Sequence, residues 1–188
     1  MGKIYDHLDD RLIDFIRAQK MFFVATAPLG GDGHVNLSPK GYDSFAVLGP
    51  NKVAWLDLGG SGIETLAHLK ENGRITVMFC AFEGKANILR LYGDGEAVQF
   101  DDPRIPELLA HFPAFEKARS IVIIDVTRIA DSCGWGVPFY DFKSERDQLS
   151  RTWDHMYEKD GDAAVAKVFV EQNAESIDGL NGIERPDT

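Results

Sequence analysis

The feature that most constrains this chain is a series of short strand-like runs, joined by turns of a few residues, between residues 21 and 132. Runs such as "MFFVATAP", "KVAWLDL" and "RITVMFCAF" are rich in β-branched and aromatic residues and end at Gly, Pro, Asn or Asp. Strands that follow one another through short turns pair antiparallel, because parallel pairs need long crossovers. The pattern predicts an antiparallel sheet, closed or nearly closed into a barrel that removes exposed edges.

Helical periodicity occurs before, within and after these runs. Apolar residues at helical spacing in residues 6–19 predict an amphipathic helix, and residues 143–173 are mostly helical in pattern. The fold class we expect is mainly β with flanking helices (α+β), in one domain. Its parts are an N-terminal helix in 1–20, a barrel in 21–132 with an inserted helix over 62–72, and a C-terminal loop and helices in 133–188.

Composition and charge exclude several classes of protein. The net charge is −10, and the lysines and arginines are scattered singly, so there is no basic footprint for nucleic acid. No apolar run approaches the roughly 20 residues that span a bilayer, which predicts no membrane segment. The start, "MGKIYDHLDD", lacks the apolar centre of a signal peptide. We therefore expect a cytoplasmic protein.

The candidate metal ligands are sparse. The two cysteines, Cys80 and Cys133, form no CxxC motif, and Cys80 lies in an apolar run that predicts a buried thiol. Glu64 and His68 are spaced i,i+4 on one predicted helix, but no third ligand is near in sequence. We expect no metal site and interpret Glu64 and His68 as a solvated, salt-bridged helix face.

The stretch "LDLGGSGIETLAHLKENGRI", residues 56–75, permits two interpretations. Ser61 and Glu64 have the spacing of a capping box, and Gly73 has the place of a C-terminal stop, so the segment can be an ordinary helix. A glycine-rich turn before a helix also exposes unpaired N–H groups and a partial positive charge that suit phosphate. A carboxylate folded back onto the turn would oppose phosphate, so a phosphate site requires Glu64 to point away from it.

The order of these motifs resembles the pyridoxamine 5′-phosphate oxidase-like family. The motifs are the donor-lined "HVNLSPKG", the strand "VAWLDL", the turn and helix "GGSGIETLAHLKENGRI", and a long hairpin after them. The resemblance implies an FMN-binding split β-barrel, an antiparallel Greek-key barrel of about six to seven strands. It also implies a homodimer with two FMN sites at the subunit interface, each acting on a small-molecule substrate.

The resemblance assigns the cofactor-binding residues. Asn36, Leu37 and Ser38 would line the isoalloxazine ring or the ribityl chain, and Lys40 would reach an anionic group. The next strand would contribute its last residues, and the glycine turn would hold the phosphate; these residues are Trp55, Leu56, Asp57, Gly60, Ser61 and Gly62. Trp55 is equally consistent with a core position. No catalytic residue is assigned; His34 lies near the donor strand and could serve as a base, but it is equally consistent with an exposed histidine in a turn.

Two departures separate this chain from the authentic oxidase. That enzyme carries Arg and Lys at the start of the inserted helix, where this chain has glycine and serine, and its C-terminal Trp and Arg motif is not found here. The resemblance therefore implies an FMN-dependent oxidoreductase of an uncharacterised branch, with an unidentified substrate. The alternatives are a non-catalytic flavin-binding or redox-sensing protein, or a split barrel that uses deazaflavin, or haem on His34 or His111.

The segment "CGWGVPFY", residues 133–140, is the last candidate part of the site. Its glycines and proline predict a bent loop, and its aromatic residues offer stacking surface. Two interpretations remain open: the loop covers the flavin or substrate of the partner chain, or it is an aromatic plug beneath the C-terminal helices. Cys133 could be a redox thiol, although nothing nearby in sequence lowers its pKa.

Overall fold

A computed structural model describes residues 2–99, 101–113 and 118–183 of the chain. The strands are β1 (Ile4–Tyr5), β2 (Phe22–Thr26), β3 (Asn36–Lys40), β4 (Phe45–Gly49), β5 (Lys52–Leu58), β6 (Arg74–Cys80), β7 (Ile88–Gln99) and β8 (Ala118–Ser132). The helices are α1 (Asp10–Ala18), α2 (Glu64–Asn72), α3 (Ile105–Leu109) and α4 (Gln148–Gln172).

The strands form one antiparallel sheet in the spatial order β3-β2-β6-β7-β8-β5-β4, with β1 added beside β8. The predicted antiparallel split barrel with flanking helices is confirmed. Strand β1 was not predicted, because a two-residue strand carries no periodicity of its own. It pairs with residues 129 and 130 of β8. Its extended conformation therefore depends on this pairing with β8.

The sheet curls into a barrel without closing its hydrogen-bonded path. Strands β3 and β4 stand at the two ends of that path and do not pair with each other. The ring of Phe45 on β4 nevertheless lies 5.0 Å, centroid to centroid, from Phe22 on β2 and 5.0 Å from Phe79 on β6. Aromatic packing therefore joins the end strand β4 to β2 and β6 across the interior, where hydrogen bonds do not.

The core of the barrel is built from the apolar faces of these strands and two helices. Leu12 and Ile16 of α1 are buried in it, as their spacing predicts. Helix α1 begins where Asp9 caps it: the Asp9 carboxylate accepts a 2.8 Å hydrogen bond from the Leu12 N–H. A second, smaller apolar cluster lies where α3 packs against β5 and β8.

The C-terminal part differs from the barrel in its construction. Helix α4 is one continuous element in sequence but is kinked at Gly161, which has φ 75° and ψ 164°. After it, residues 173–183 form a segment that we call the C-terminal strap, closed by a bridge between Glu175 and Asn181. Within the described residues, no helix has the length and apolar character that a membrane crossing requires.

Candidate functional site

One face of the edge strand β3 carries a connected set of polar side chains. Alternation along the strand places Asn36, Ser38 and Lys40 on the same face. The Asn36 amide donates to the hydroxyls of Thr65 (2.9 Å) and Thr26 (3.2 Å), and the Ser38 hydroxyl donates to the Asn36 carbonyl oxygen at 3.0 Å. The sequence therefore places these donors correctly on one surface, next to the N-terminus of α2.

A buried histidine continues this network into the interior. The side chain of His68 is fully buried, and its Nδ1 lies 2.9 Å from the Thr26 hydroxyl, while its Nε2 has no hydrogen-bond partner among the described residues. The interpretation of Glu64 and His68 as a solvated, salt-bridged face is therefore wrong for His68. Burial lowers the pKa of His68, because the interior disfavours the imidazolium.

An ion pair lies beneath the glycine turn. Asp57 is fully buried and accepts a short hydrogen bond from Arg119, whose side chain is also buried. Lys40 reaches the other Asp57 oxygen at 3.4 Å and keeps 21% of its side chain exposed. The pairing with Arg119 is thus close and dry, whereas the pairing with Lys40 is long and partly in solvent.

The glycine turn does not use the predicted capping box. Helix α2 begins at Glu64 with Ile63 at the N-cap, and no side chain caps it, so the capping role of Ser61 is wrong. Gly62 takes φ 89°, a left-handed conformation that turns the chain before it can enter the helix. The predicted stop at Gly73 is confirmed: it has φ 70°, and its N–H donates to the Leu69 carbonyl.

Arg119 fixes the orientation of the turn. Its guanidinium donates to the carbonyl oxygens of Gly60 (3.4 Å) and Gly62 (2.9 Å). In a trans peptide the N–H points opposite to the carbonyl, and the chain has no cis bond among its described residues. The N–H groups of Ser61 and Ile63 therefore point away from Arg119, and neither donates to a described group. The turn presents free backbone donors on that side.

Glu64 lies close to this turn. Its carboxylate oxygen is 2.7 Å from the point where a Cβ on Gly62 would stand, so it does not point away as a phosphate site requires. The other carboxylate oxygen accepts only a long bond, 3.4 Å, from the Ile177 N–H of the strap. Glu64 is therefore weakly held, and its side chain must rotate before an anion can approach Gly62.

The C-terminal strap packs against the N-terminal end of α2 and is held at its start, at its middle and near its end, where Lys70 donates to the Gly182 carbonyl. Asn173 is buried and accepts a 2.8 Å bond from Arg119. At the middle of the strap, the Asp178 carboxylate accepts a hydrogen bond from the His34 backbone N–H and pairs with the His34 Nδ1, each at 2.7 Å. This contact raises the pKa of His34 and lowers the pKa of Asp178, since each charge stabilises the other.

Three of the residues assigned from the resemblance do not bring their side chains to this surface. Trp55 and Leu56 are buried in the apolar clusters, so Trp55 is a core residue. Leu37 is 64% exposed and lies on the opposite face of β3 from Asn36 and Ser38. The residues that the structure does bring together are Asn36, Ser38, Lys40, Asp57, Gly60, Ser61 and Gly62.

The aromatic loop after β8 is not a plug. Trp135 is 85% exposed and Phe139 is 79% exposed, so the interpretation as packing beneath the C-terminal helices is wrong. Tyr140 contacts the barrel through the ring of Phe82, at 5.6 Å between centroids. Cys133 is exposed and Cys80 is buried as predicted; burial raises the pKa of the Cys80 thiol.

Sequence reasoning missed the residue that organises the site, Arg119. The available signal was its position, since Arg119 comes just before the apolar residues "IVII" of β8, and a charge buried beside such a run needs a partner. It also missed Asp178 and Asn173, which are far along the chain and carry no motif. Among the described residues there is no group of three side chains that could hold a metal ion.

A curled antiparallel sheet with a glycine turn opening a helix beside a donor-lined edge strand defines a protein of the split-barrel class. The sequence profile described as pyridoxamine 5′-phosphate oxidase matches residues 8–133, which is most of the chain. The chain therefore belongs to the pyridoxamine 5′-phosphate oxidase family, as the resemblance indicated.

A curated relative is similar in sequence over almost the whole length of this chain. It is the pyridoxamine 5′-phosphate oxidase family protein ustO of Aspergillus flavus, 36% identical over 199 residues, which cover 97% of this chain and 78% of that protein. Among solved structures, HupZ of Group A Streptococcus aligns with a TM-score of 0.54 at 18% identity, over 71% of this chain and 99% of that one. A candidate pyridoxamine 5′-phosphate oxidase of Lactobacillus delbrueckii aligns with a TM-score of 0.50 at 16% identity, over 68% and 98%. These structures support the fold alone.

Proposed function

We propose that this protein binds FMN and is a flavin-dependent oxidoreductase acting on a small molecule. The observation that carries the proposal is the glycine turn, whose Ser61 and Ile63 N–H groups are directed away from Arg119 and donate to no described group. Such a turn at a helix N-terminus suits a phosphate. The polar face of β3 lies beside it and supplies the donors that a flavin ring and ribityl chain need.

The charges around the turn permit a phosphate once Lys40 moves toward it and the Glu64 carboxylate rotates away from Gly62. Asp57 keeps a close partner in Arg119 even if the Lys40 ammonium leaves its 3.4 Å contact. Lys40 is partly exposed on the same face as Asn36 and Ser38, so it can reach an anion at the turn without leaving Asp57 unpaired. Arg119 is less suited to this role, because its side chain is buried and carboxylate, carbonyl and amide oxygens already occupy its Nε and Nη1 donors.

A bound flavin would supply the two-electron redox chemistry, and the chain's own residues would bind and orient it. Asn36 is fixed by Thr26 and Thr65, so its carbonyl and amide directions are set before any ligand arrives. We further propose a homodimer in which the exposed aromatic loop, with Trp135 and Phe139, packs on the partner. Exposed aromatic side chains in one contiguous segment are typical of protein interfaces.

The test is a titration of the purified protein with FMN, followed by absorbance and flavin fluorescence. We expect saturable binding, and we expect Lys40→Met to weaken it roughly tenfold or more, the magnitude of a charge-assisted hydrogen bond. Lys52→Met is the matched control, since Lys52 pairs with Asp125 on the exposed surface. A protein that takes up no FMN, or a Lys52 variant as weak as the Lys40 variant, contradicts the proposal.

Enzymatic activity needs a separate measurement. The FMN-loaded protein is mixed with NADPH or NADH without oxygen, and the loss of the oxidised flavin spectrum is followed. Reduction that is faster than that of free FMN supports an oxidoreductase. Tight FMN binding with no acceleration by either donor favours the non-catalytic flavin-binding alternative.

A further inference from the structure

A cleft lies between the glycine turn and the kinked helix α4. Its volume is about 740 Å³, within the range of roughly 300–1,000 Å³ that small-molecule sites occupy. One wall is the turn, residues 59–61, and the other is α4, which bends at Gly161. Helix α4 lies outside residues 8–133, which the family profile matches.

The α4 wall is apolar and is fixed in place by a hydrogen bond to the turn. Trp153 donates its indole N–H to the Gly59 carbonyl oxygen at 3.2 Å, which holds the indole ring against the cleft. Leu149, Met156 and Val168 line the same wall and are each half-buried. A flat aromatic group can pack on the Trp153 ring and on the thioether of Met156.

The charge of the cleft is unusual for this chain. The sequence has 30 acidic residues in 188, yet none of the described residues that line the cleft is acidic. Arg146 lines it, and its guanidinium forms no ion pair with any residue that the structure describes. The Arg146 backbone carbonyl accepts a 2.7 Å bond from the Tyr42 hydroxyl, which ties this residue to the barrel.

Besides the Arg146 guanidinium, the glycine turn contributes neutral hydrogen-bond donors to the cleft. Ser61 lines the cleft, and neither its hydroxyl nor its N–H makes a hydrogen bond to a described group. Tyr42, also in the lining, has φ 63°, which non-glycine residues rarely adopt. Strained backbone of this kind concentrates at functional sites.

We propose that this cleft binds a planar aromatic anion, with the ring on Trp153 and the negative charge toward Arg146 and Ser61. Two sources can supply this chemistry. One is the adenylate half of a dinucleotide flavin that extends past the phosphate site, which rests on the proposed function. The other is a free aromatic carboxylate or phosphate, such as a substrate or effector, which does not.

The first experiment uses 2-naphthoate and its uncharged analogue 2-naphthamide as probes, with calorimetry on the protein freed of cofactor. We expect naphthoate to bind roughly two- to fivefold more tightly than the amide, as one partly exposed guanidinium allows. Arg146→Gln removes that preference. Met156→Trp fills the cleft and weakens both probes at least about tenfold.

Arg151→Gln is the matched control, because Arg151 lies on the same helix but pairs with Asp147 at the surface. It leaves the binding of both probes unchanged. Should Met156→Trp fail to fold, as judged by circular dichroism, Trp153→Leu replaces it and removes the stacking wall. Probe affinities that none of the three cleft variants alters overturn the proposal, and so does a cleft that binds neither probe.

Flavin titrations then distinguish the two sources. If the adenylate half of a dinucleotide occupies the cleft, FAD binds more tightly than FMN, Met156→Trp reduces FAD to the affinity of FMN, and naphthoate competes with FAD alone. If the occupant is a free anion, FAD and FMN bind alike and naphthoate still binds the FMN-loaded protein. Both results support the aromatic-anion cleft.

The failure of this inference is separable from that of the proposed function. If naphthoate binds and FMN does not, the flavin proposal is wrong and the proposal for the cleft stands. If FMN binds and naphthoate does not, the proposal for the cleft is wrong and the flavin proposal stands. If Met156→Trp changes the oligomeric state and naphthoate does not bind, the cleft is filled by a second copy of the chain, which also overturns the proposal.

Discussion

Two of the attachments of the C-terminal strap have opposite character. At its start, buried Asn173 joins the buried Arg119, which also holds Asp57 and two carbonyl groups of the glycine turn. At its middle, Asp178 binds His34, whose side chain is 72% exposed. The first attachment is a dry network with many partners, and the second is a single pair in solvent.

The difference shows which attachment stabilises the strap and which one makes it sensitive to pH. A buried charge that loses its partner is costly, whereas an exposed pair competes with water and salt and contributes little. The Arg119 attachment is therefore expected to be part of the fold. The His34 attachment is expected to respond to pH without threatening the fold.

The largest expected effect is that of Arg119→Met. It leaves Asp57 buried without its close partner, and breaking such a pair costs about 3–5 kcal/mol of the free energy of unfolding. Chemical denaturation measures this loss. The double variant Arg119→Met with Asp57→Leu removes both charges and should be more stable than the single variant; equal or lower stability would contradict the role of the ion pair.

The next effect is that of Gly182→Ala, in the part of the strap that packs on the helix start. A Cβ on Gly182 would lie 2.2 Å from the Asn173 carbonyl oxygen and 2.6 Å from Ile63. We expect a loss of about 1–3 kcal/mol, typical of overpacking, and faster proteolysis within the strap. Gly136→Ala is the control because open space surrounds that position; if both variants behave alike, the strap does not depend on this contact.

His68 predicts a smaller loss of stability in acid. Its pKa is lowered by burial below the ordinary value of 6.5, so below that pH the unfolded chain binds a proton that the folded chain refuses. Stability should therefore fall as pH decreases from 6.5 toward the folded pKa. Denaturation between pH 7.5 and 5.5 should show less pH dependence in His68→Leu than in wild type, and an unchanged slope in the exposed control His155→Gln.

The smallest effect belongs to the His34 and Asp178 pair, and its sign is opposite. The pKa of His34 is raised, so its contribution is complete below the ordinary value of 6.5 and is lost as pH rises through the folded pKa. The pKa of Asp178 is lowered, so its contribution is lost only as pH falls below the ordinary value of 3.8. Hydrogen exchange of the strap should be slowest between these limits.

Asp178→Asn should remove most of this pH dependence while leaving the barrel amides protected. The same exchange experiment on His155→Gln is the control. Strap exchange that stays pH-dependent in Asp178→Asn, after correction for intrinsic exchange, would assign the effect to another group.

Much of the fold could be read from the sequence because it depends on local patterns. Alternation and turn residues located the strands β2 to β8, and Gly73 ended α2 as expected, since its left-handed conformation is intrinsic to glycine. The donor face of Asn36, Ser38 and Lys40 followed from the period of the strand. The capping box did not follow in the same way, because a short motif describes a possible hydrogen bond and tertiary contacts decide whether it forms.

The sequence by itself determined an antiparallel split barrel with a glycine turn beside a donor-lined strand, and it placed the chain in its family. Only the tertiary structure decided what surrounds that turn. Arg119, Asn173 and Asp178 are separated from the turn by 50 to more than 100 residues, and nothing local specifies such contacts. The tertiary structure likewise decided that His68 is buried and not solvated. A side chain's environment depends on the elements that pack against it, and His68 lies against strand β2, where it contacts Thr26.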